Sequence, residues 1–130
     1  PLASLYLDEP PAPGRRLVEA GVPVAVATDF NPGTAPSHHL PTALTLACLR
    51  EGLTPAEALE GATVQAARAI GEAGTAGSIE PGKAADLAVI DAPDVETWLH
   101  RLGVEACVGT VAGGEVRWAA PDGPLDREAA

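Results

Sequence analysis

The sequence predicts an α/β fold: the closing part of a β/α barrel, followed by part of a small separate β-domain. An apolar run, Val22 to Ala27, ends abruptly at Thr28 and Asp29, as a buried parallel strand does where its carboxyl end meets a site. Helical patterns follow, and the end of the chain is mostly β in pattern. A complete barrel needs about 250 residues, so a chain of 130 residues with one barrel strand is expected to be a piece of a longer polypeptide.

The first half of the chain is predicted to alternate between loops and helices around that one strand. Residues 1–13 are rich in proline and are predicted to be a loop. Residues 13–20 form a short helix that stops at Gly21. After the strand at 22–28 and a loop at 29–37, a helix begins at His39 or Pro41, runs to Arg50 and stops at Gly52.

The second half begins with a clear helix signal and ends in strands. Thr54, Pro55 and Glu57 have the spacing of a capping box, which predicts a helix over 55–60 and a second helical piece over 63–70. A strand at 85–90 and a short helix at 95–102 follow. Strands at 106–112 and 115–119 flank Gly113-Gly114, a pair typical of a hairpin.

Composition excludes several classes of protein. The net charge is −10 with only 8 basic residues, which argues against a nucleic-acid or anionic-membrane surface. No apolar run approaches the roughly 20 residues of a membrane span. Cys48 and Cys107 are interpreted as buried free thiols, and a reducing, cytoplasmic location is expected. Methionine is absent, even at position 1, which also leads us to expect a fragment.

Asp29 is the first candidate for chemistry. A carboxylate at the carboxyl end of a barrel strand lies on the face where barrel active sites form. It can serve as a ligand for a metal such as Zn²⁺, or accept a proton from an attacking water. The alternative is structural, with the side chain capping the turn that follows. On the pattern alone, both interpretations stay open.

The turn that follows adds candidate substrate-binding residues. Asn31 offers hydrogen-bond donors and an acceptor, and Thr34 offers a hydroxyl. Gly33 can present its backbone N–H to a ligand, since no Cβ blocks a close approach. A well-formed loop without a ligand is the alternative. The adjacent His38 and His39 point in different directions on a helix, so we interpret them as helix-start or site-rim residues, not metal ligands.

Three stretches of sequence resemble a known family. VAVATDFNPGT, TPAEALEGATVQAARAIG and GSIEPGKAADLAVID together resemble the carboxyl-terminal third of the metal-dependent amidohydrolase superfamily. TPAEAL and EPGKAADL are shared across that superfamily. ATDFNPGT is narrower and resembles the imidazolonepropionase family. The resemblance covers about residues 14–119.

The resemblance implies a fold, a reaction and a set of roles. The fold is an amidohydrolase (β/α)₈ TIM barrel, of which residues 1–78 form the closing part, and a small β-sandwich domain, of which residues 79–120 form a part. Apart from the resemblance, the acidic residues 121–130 are predicted to be a disordered tail. Water opens the ring of 4-imidazolone-5-propanoate to give N-formimidoyl-L-glutamate, in histidine degradation. A single Zn²⁺ or Fe³⁺ ion activates that water, and the full-length enzyme can be a homodimer. The implied roles are metal ligand and proton-handling carboxylate for Asp29, and contact with substrate or product for Asn31, Gly33 and Thr34.

The chain also departs from the family. The family's H-x-H pair and its later metal-binding histidine are missing, and catalytic zinc usually has three protein ligands. We therefore expect this chain alone to bind no metal tightly and to be inactive. SHHLPTAL also differs from the segment expected after NPGT. Two alternatives stay open: another hydrolase or deaminase of the superfamily with a different cyclic amide or amidine substrate, and a non-catalytic α/β module.

Overall fold

The computed structural model describes residues 1–126. Within that range the helices are α1 (Leu2–Tyr6), α2 (Gly14–Glu19), α3 (Leu40–Glu51), α4 (Pro55–Ala62), α5 (Val64–Ala69) and α6 (Val95–His100). The strands are β1 (Leu87–Ile90), β2 (Cys107–Ala112) and β3 (Glu115–Ala119). The α/β class predicted from the sequence is confirmed. No helix within residues 1–126 is long and apolar enough to cross a membrane.

Local signals account for where α3 ends and α4 begins. Gly52 ends α3 in the left-handed conformation, with φ +75°, which a residue without Cβ adopts easily. At the start of α4, Thr54 Oγ1 accepts from the N–H of Glu57 at 3.2 Å. Glu57 Oε2 in turn accepts from the N–H of Thr54 at 2.8 Å. The capping box predicted from the sequence is therefore confirmed.

The three strands form one antiparallel sheet in the order β1-β2-β3. Gly113 and Gly114 join β2 to β3 with φ values of +60° and +80°, as a two-residue hairpin turn with two positive φ angles requires. A Cβ at Gly109 would lie 2.7 Å from Leu125 Cδ1, so Leu125 packs directly on β2. The predicted disordered tail at 121–130 includes residues 127–130, which lie outside the described residues. Residues 121–126 form turns beside the sheet.

The main core lies between the helices and the segment before Asp29. Its buried members are Val26, Leu44, Ala47, Leu53, Ala58 and Leu99. Helix α6 joins this core through Leu99, and Thr45 Oγ1 donates a hydrogen bond to the Leu99 carbonyl at 2.8 Å. Helix α6 therefore packs on α3 and α4, although it belongs in sequence to the range 79–120. The division of the chain at residue 78 stays a prediction.

A second, smaller cluster holds the amino-terminal region against α3. Leu2, Ala35 and Leu46 are buried together. Leu2 lies in α1, where the sequence analysis predicted a loop, so that prediction was wrong for residues 2–6. The region is rich in proline, but residues 2–6 contain none. Their helix is stabilised by the packing of Leu2, a tertiary contact that a local sequence pattern does not predict. Ala35 lies in the turn after Asp29, and its burial fixes that turn on α3.

Segment 22–29 differs from its prediction in one respect. Residues 22–28 were predicted to be a strand, but they join no sheet in the structure. A strand is defined by a ladder of hydrogen bonds, and the backbone bond that joins this segment to α4 runs from the N–H of Val26 to the Gly61 carbonyl, at 3.0 Å. Burial still alternates with a period of two: Val24, Val26 and Thr28 are covered, whereas the residues between them are exposed.

Candidate active site

Asp29 ends segment 22–29 and lies exposed, in step with Ala25 and Ala27 on the uncovered face. Its backbone φ is +53°, a left-handed conformation that is uncommon outside glycine and that collects at functional sites. Within residues 1–126, no hydrogen bond or ion pair engages the Asp29 carboxylate. The carboxylate therefore does not cap the turn, and it is available to a ligand in front of the uncovered face.

Asn31 does the capping that was considered for Asp29. Its Oδ1 accepts from the N–H of Gly33 at 3.0 Å and from the N–H of Thr34 at 2.8 Å. Its Nδ2 donates to the Asp29 carbonyl at 2.8 Å. The N–H of Asn31 also donates to the Ala35 carbonyl at 3.0 Å, which forms a backbone bridge between the two residues. Asn31 thus holds the turn in an Asx-type arrangement that leaves the Asp29 side chain outside it.

This geometry changes what the turn can offer to a ligand. The N–H of Gly33, which the sequence analysis assigned to a ligand, is donated to Asn31 instead. The Thr34 hydroxyl lies 3.3 Å from the same Asn31 oxygen. The structure brings the four residues predicted for the site into one turn, but Asn31 and Gly33 shape it from within. Phe30, with 60% of its surface exposed, projects from the same turn.

The loop between the turn and α3 is fixed by the two adjacent histidines. The ring of His38 meets the ring of Phe30 edge to face, with centroids 5.6 Å apart. His39 is the N-cap of α3, and its Nδ1 accepts from the N–H of Thr42 at 3.3 Å. Its Nε2 lies 3.6 Å from the carboxylate of Glu105, in the loop before β2. His39 therefore lies at the helix start, one of the two positions predicted for this pair, whereas His38 lies in the loop before it.

The described residues do not fit a complete metal site. A catalytic zinc ion usually has three protein ligands. No group of three or more His, Cys, Asp and Glu side chains within residues 1–126 could hold an ion. Asp29 has the chemistry of one ligand, since an exposed carboxylate oxygen suits Zn²⁺ or Fe³⁺. His38 and His39 are engaged by Phe30, Thr42 and Glu105, so they do not complete the set.

A cavity of about 230 Å³ lies at the other end of segment 22–29. Its lining residues include Val22, Val24, Leu53, Glu57 and Glu60. Barrel enzymes place their chemistry at the carboxyl ends of the strands, and the opposite end serves stability. The cavity is therefore not the site for chemistry.

One ion pair near that cavity was missed by the sequence analysis. The guanidinium of Arg15, in α2, donates two hydrogen bonds of 2.9 Å to the carboxylate of Glu57, 42 residues away. The hydrogen bonds from Arg15, followed by that from the N–H of Thr54, lower the pKa of Glu57 to about 2. Capping explained Glu57 in the sequence, and no local signal indicated a partner so distant along the chain.

Curated relatives resemble the chain over most of its length. It is 47% identical over 116 residues to the imidazolonepropionase of Geobacillus kaustophilus and 45% identical over 114 residues to that of Rubrobacter xylanophilus. These alignments cover 89% and 88% of the chain, but only 27% and 28% of the relatives. The chain therefore spans about a quarter of the length of the curated relatives that it matches.

Solved structures share its fold. An adenosine deaminase from Xanthomonas campestris with bound zinc is 25% identical, with a TM-score of 0.78, and the match covers 99% of this chain and 33% of that one. A guanine deaminase from E. coli is 19% identical, with a TM-score of 0.76 over 92% of this chain and 33% of that one, which shows the fold alone. A family model described as the amidohydrolase family matches residues 3–117. The matched region includes the whole site turn and the exposed carboxylate of Asp29. The chain therefore belongs to the amidohydrolase family.

Proposed function

We propose that this chain is the closing part of an imidazolonepropionase-like hydrolase, which opens the ring of 4-imidazolone-5-propanoate with water to give N-formimidoyl-L-glutamate. One observation carries the proposal: the Asp29 carboxylate stands clear of a turn that Asn31 holds together. Sequence identity of 47% to an imidazolonepropionase supports this choice of substrate. Because the chain spans about a quarter of such relatives, the activity belongs to a longer protein.

In this proposal Asp29 handles a proton. A carboxylate within reach of the attacking water accepts its proton as the water adds to the ring carbon, and can return that proton to the departing ring nitrogen. The left-handed conformation of Asp29 and the hydrogen bond from Asn31 Nδ2 to its carbonyl fix the backbone position from which the carboxylate extends. The turn fixes that starting point before substrate arrives, which lowers the entropic cost of alignment.

A metal ion, Zn²⁺ or Fe³⁺, forms part of the proposal for the full-length enzyme. When bound, such an ion supplies an activated water at neutral pH. Residues 1–126 contribute Asp29 as a single ligand and do not complete the site. The proposed substrate contacts from this chain are Thr34 and the turn formed by Asn31 and Gly33.

The second candidate is a deaminase of the same family. The match to the zinc-bound adenosine deaminase extends over 99% of this chain, so the fold suits that chemistry equally well. Deamination and ring opening both begin with attack of water on a carbon bonded to nitrogen, and Asp29 has the same role in each. Residues outside this chain are expected to select the substrate.

A chimera tests the proposal directly. The segment of the Geobacillus kaustophilus imidazolonepropionase that matches this chain is replaced by the chain itself, and consumption of 4-imidazolone-5-propanoate is measured. We expect turnover, and a loss of about 10²-fold or more in kcat for Asp29→Asn. The matched control Asp91→Asn changes an exposed aspartate after β1 and should leave kcat unchanged.

Three results would separate the alternatives. A folded chimera that keeps its activity after Asp29→Asn would exclude the proposed role of Asp29. A folded chimera without ring opening would exclude this chain as a functional imidazolonepropionase segment. If the longer protein encoded with this chain deaminates adenosine or guanine and leaves the imidazolone intact, the deaminase alternative is correct.

Location and assembly also remain proposals. Cys48 and Cys107 are free thiols and half-buried, and burial raises the pKa of the Cys48 thiol. Free thiols are what a reducing compartment favours, which supports the cytoplasmic location expected from the sequence. A homodimer of the full-length enzyme is proposed on the resemblance alone.

A further inference from the structure

The position of Phe30 breaks the burial pattern of the segment before it. Val24, Val26 and Thr28 are covered, so a period of two places residue 30 on the same covered face. Phe30 is instead 60% exposed. The break occurs at Asp29, whose left-handed backbone, with φ +53°, turns the chain between the two residues. The strained backbone at Asp29 therefore comes with an exposed aromatic ring next to the candidate carboxylate.

The ring of Phe30 is held in place although it is exposed. The ring of His38 meets it edge to face, with centroids 5.6 Å apart and planes at 86°. The backbone on either side of Phe30 is fixed as well, because Asn31 Nδ2 donates to the Asp29 carbonyl at 2.8 Å. An edge-to-face contact takes up one edge or one face of Phe30, and its exposure within residues 1–126 leaves ring surface for a second contact. The ring is thus oriented before a ligand arrives, which lowers the cost of binding.

We propose that Phe30 is a specificity-determining residue, whose ring stacks on the nearly flat ring of the substrate beside Asp29, and that His38 is a positioning residue that holds Phe30 for this contact. The inference rests on the proposed function and adds the feature of the substrate that this turn recognises. Consecutive Cα atoms lie about 3.8 Å apart, so a ring stacked on Phe30 lies next to the residue that handles the proton. Aromatic faces favour offset stacking on other flat π-systems. The class recognised is therefore unsaturated nitrogen heterocycles, not saturated, puckered rings.

The competing occupant of this ring surface is an apolar side chain from another part of a longer protein. Such packing depends on apolar area, since the hydrophobic effect has no direction, whereas stacking requires an aromatic face. Phe30→Leu keeps a large apolar side chain and removes the face. Phe30→Tyr keeps the face. The two variants together separate stacking from packing.

The test uses the chimera, which contains the full chain. In Phe30→Leu, KM for 4-imidazolone-5-propanoate should rise about threefold to tenfold while kcat stays within about twofold, because loss of a contact made equally in the ground and transition states changes KM alone. Inhibition by imidazole-4-propanoate, a flat ring with the same tail, should weaken by the same factor. Phe30→Tyr should preserve both values. The matched control Leu49→Ala truncates a side chain that is 72% exposed on α3 and should change neither.

The positioning role of His38 is tested through the same kinetic constants. His38→Ala removes the edge-to-face contact and should raise KM without lowering kcat, whereas His38→Phe keeps an aromatic ring at this position and should restore KM. In the isolated full chain, the ring-proton signals of His38 should shift in Phe30→Leu, since the ring current of Phe30 is lost. This last measurement does not depend on activity.

The possible results have separate meanings. An active chimera whose KM and inhibition are unchanged in Phe30→Leu overturns the substrate contact, and a lower melting temperature in that variant would assign Phe30 to packing. The role of His38 is overturned if its ring signals do not respond to Phe30→Leu, or if His38→Phe fails to restore KM. A folded chimera that carries the unchanged chain and opens no ring rejects the proposed function and the substrate contact together, even where the His38 signals behave as expected.

Discussion

Asn31 is the residue on which the site turn most depends. Its side chain accepts hydrogen bonds from the N–H groups of Gly33 and Thr34 and donates one to the Asp29 carbonyl. Asn31→Ala removes all three and should destabilise the chain by about 1.5–3 kcal/mol, because each bond contributes about 0.5–1 kcal/mol net. Urea unfolding measures the loss, and hydrogen exchange at Gly33 and Thr34 locates it.

Asn31→Asp is the informative control for this prediction. It keeps an acceptor oxygen for the two amides and loses only the donor to the Asp29 carbonyl. Protection at Gly33 and Thr34 should therefore survive in Asn31→Asp and be lost in Asn31→Ala. Equal protection in Asn31→Ala would mean that the backbone bridge to Ala35 holds the turn without the side chain.

The Arg15–Glu57 pair makes the stability of the chain depend on acid. The pKa of Glu57 falls from its usual 4.5 to about 2, so the pair stabilises the folded chain above pH 4.5. This contribution is lost as the pH falls from 4.5 towards 2. In Arg15→Met the urea midpoint should be lower than in the unchanged chain at pH 7, and the two proteins should converge near pH 2.

Arg16→Met gives the matched comparison, because Arg16 is the exposed neighbour of Arg15 in the same helix. Its pH profile should follow that of the unchanged chain. If Arg15→Met keeps the same difference in midpoint at pH 2 as at pH 7, the pair contributes no charge interaction and Arg15 acts only through packing of its methylene groups.

At the scale of elements, segment 22–29 lies against α4 at a contact that only glycine permits. A Cβ on Gly61 would lie 2.8 Å from Val26 Cγ2 and 3.0 Å from the Val24 carbonyl oxygen. Gly61→Ala should therefore destabilise the chain by about 1–3 kcal/mol through overpacking, despite the better helix propensity of alanine. Gly74→Ala meets no atom within 4 Å and should change stability by less than about 0.5 kcal/mol in the same urea experiment.

The elements also show which parts of the fold local sequence can predict. Helices α3 and α4 were predicted because their signals are local: Gly52 ends α3, and Thr54 and Glu57 form a capping box at the start of α4. Helix α1 was not, because its support comes from Leu2 packing on Leu46. Segment 22–29 was predicted as a buried strand, but its one-sided burial and its lack of a ladder were not anticipated, since a ladder needs neighbouring strands.

The candidate site divides in the same way. The place of Asp29, at the end of an apolar segment and before a turn, could be predicted because it depends on consecutive residues. What Asn31 does inside the turn depends on the geometry of φ angles and hydrogen bonds that a residue pattern does not contain. The contact between His39 and Glu105 joins residues far apart in the sequence, and no sequence motif predicts it.

At the scale of the whole molecule, segment 22–29 is covered on one face only. Val24 and Val26 pack on the helices, whereas Ala25, Ala27 and Asp29 are exposed within residues 1–126. A closed barrel buries both faces of each strand and surrounds the strand ends with loops from all eight units. The uncovered face is therefore the one that carries the proposed chemistry, and Asp29 can act there only together with other parts of a barrel.

This one-sided site leads to a prediction about metal content. We expect the 130-residue chain, purified with Zn²⁺ or Fe³⁺ in the growth medium, to hold much less than one equivalent of either metal by mass spectrometry. A single carboxylate supplies only one of the three protein ligands that catalytic zinc usually has. Asp29→Asn should therefore leave the metal content unchanged in the isolated chain, yet reduce it in the chimera, where Asp29 would be one ligand of a complete set. One equivalent of metal in the isolated chain that disappears in Asp29→Asn would show that other residues complete the site around Asp29.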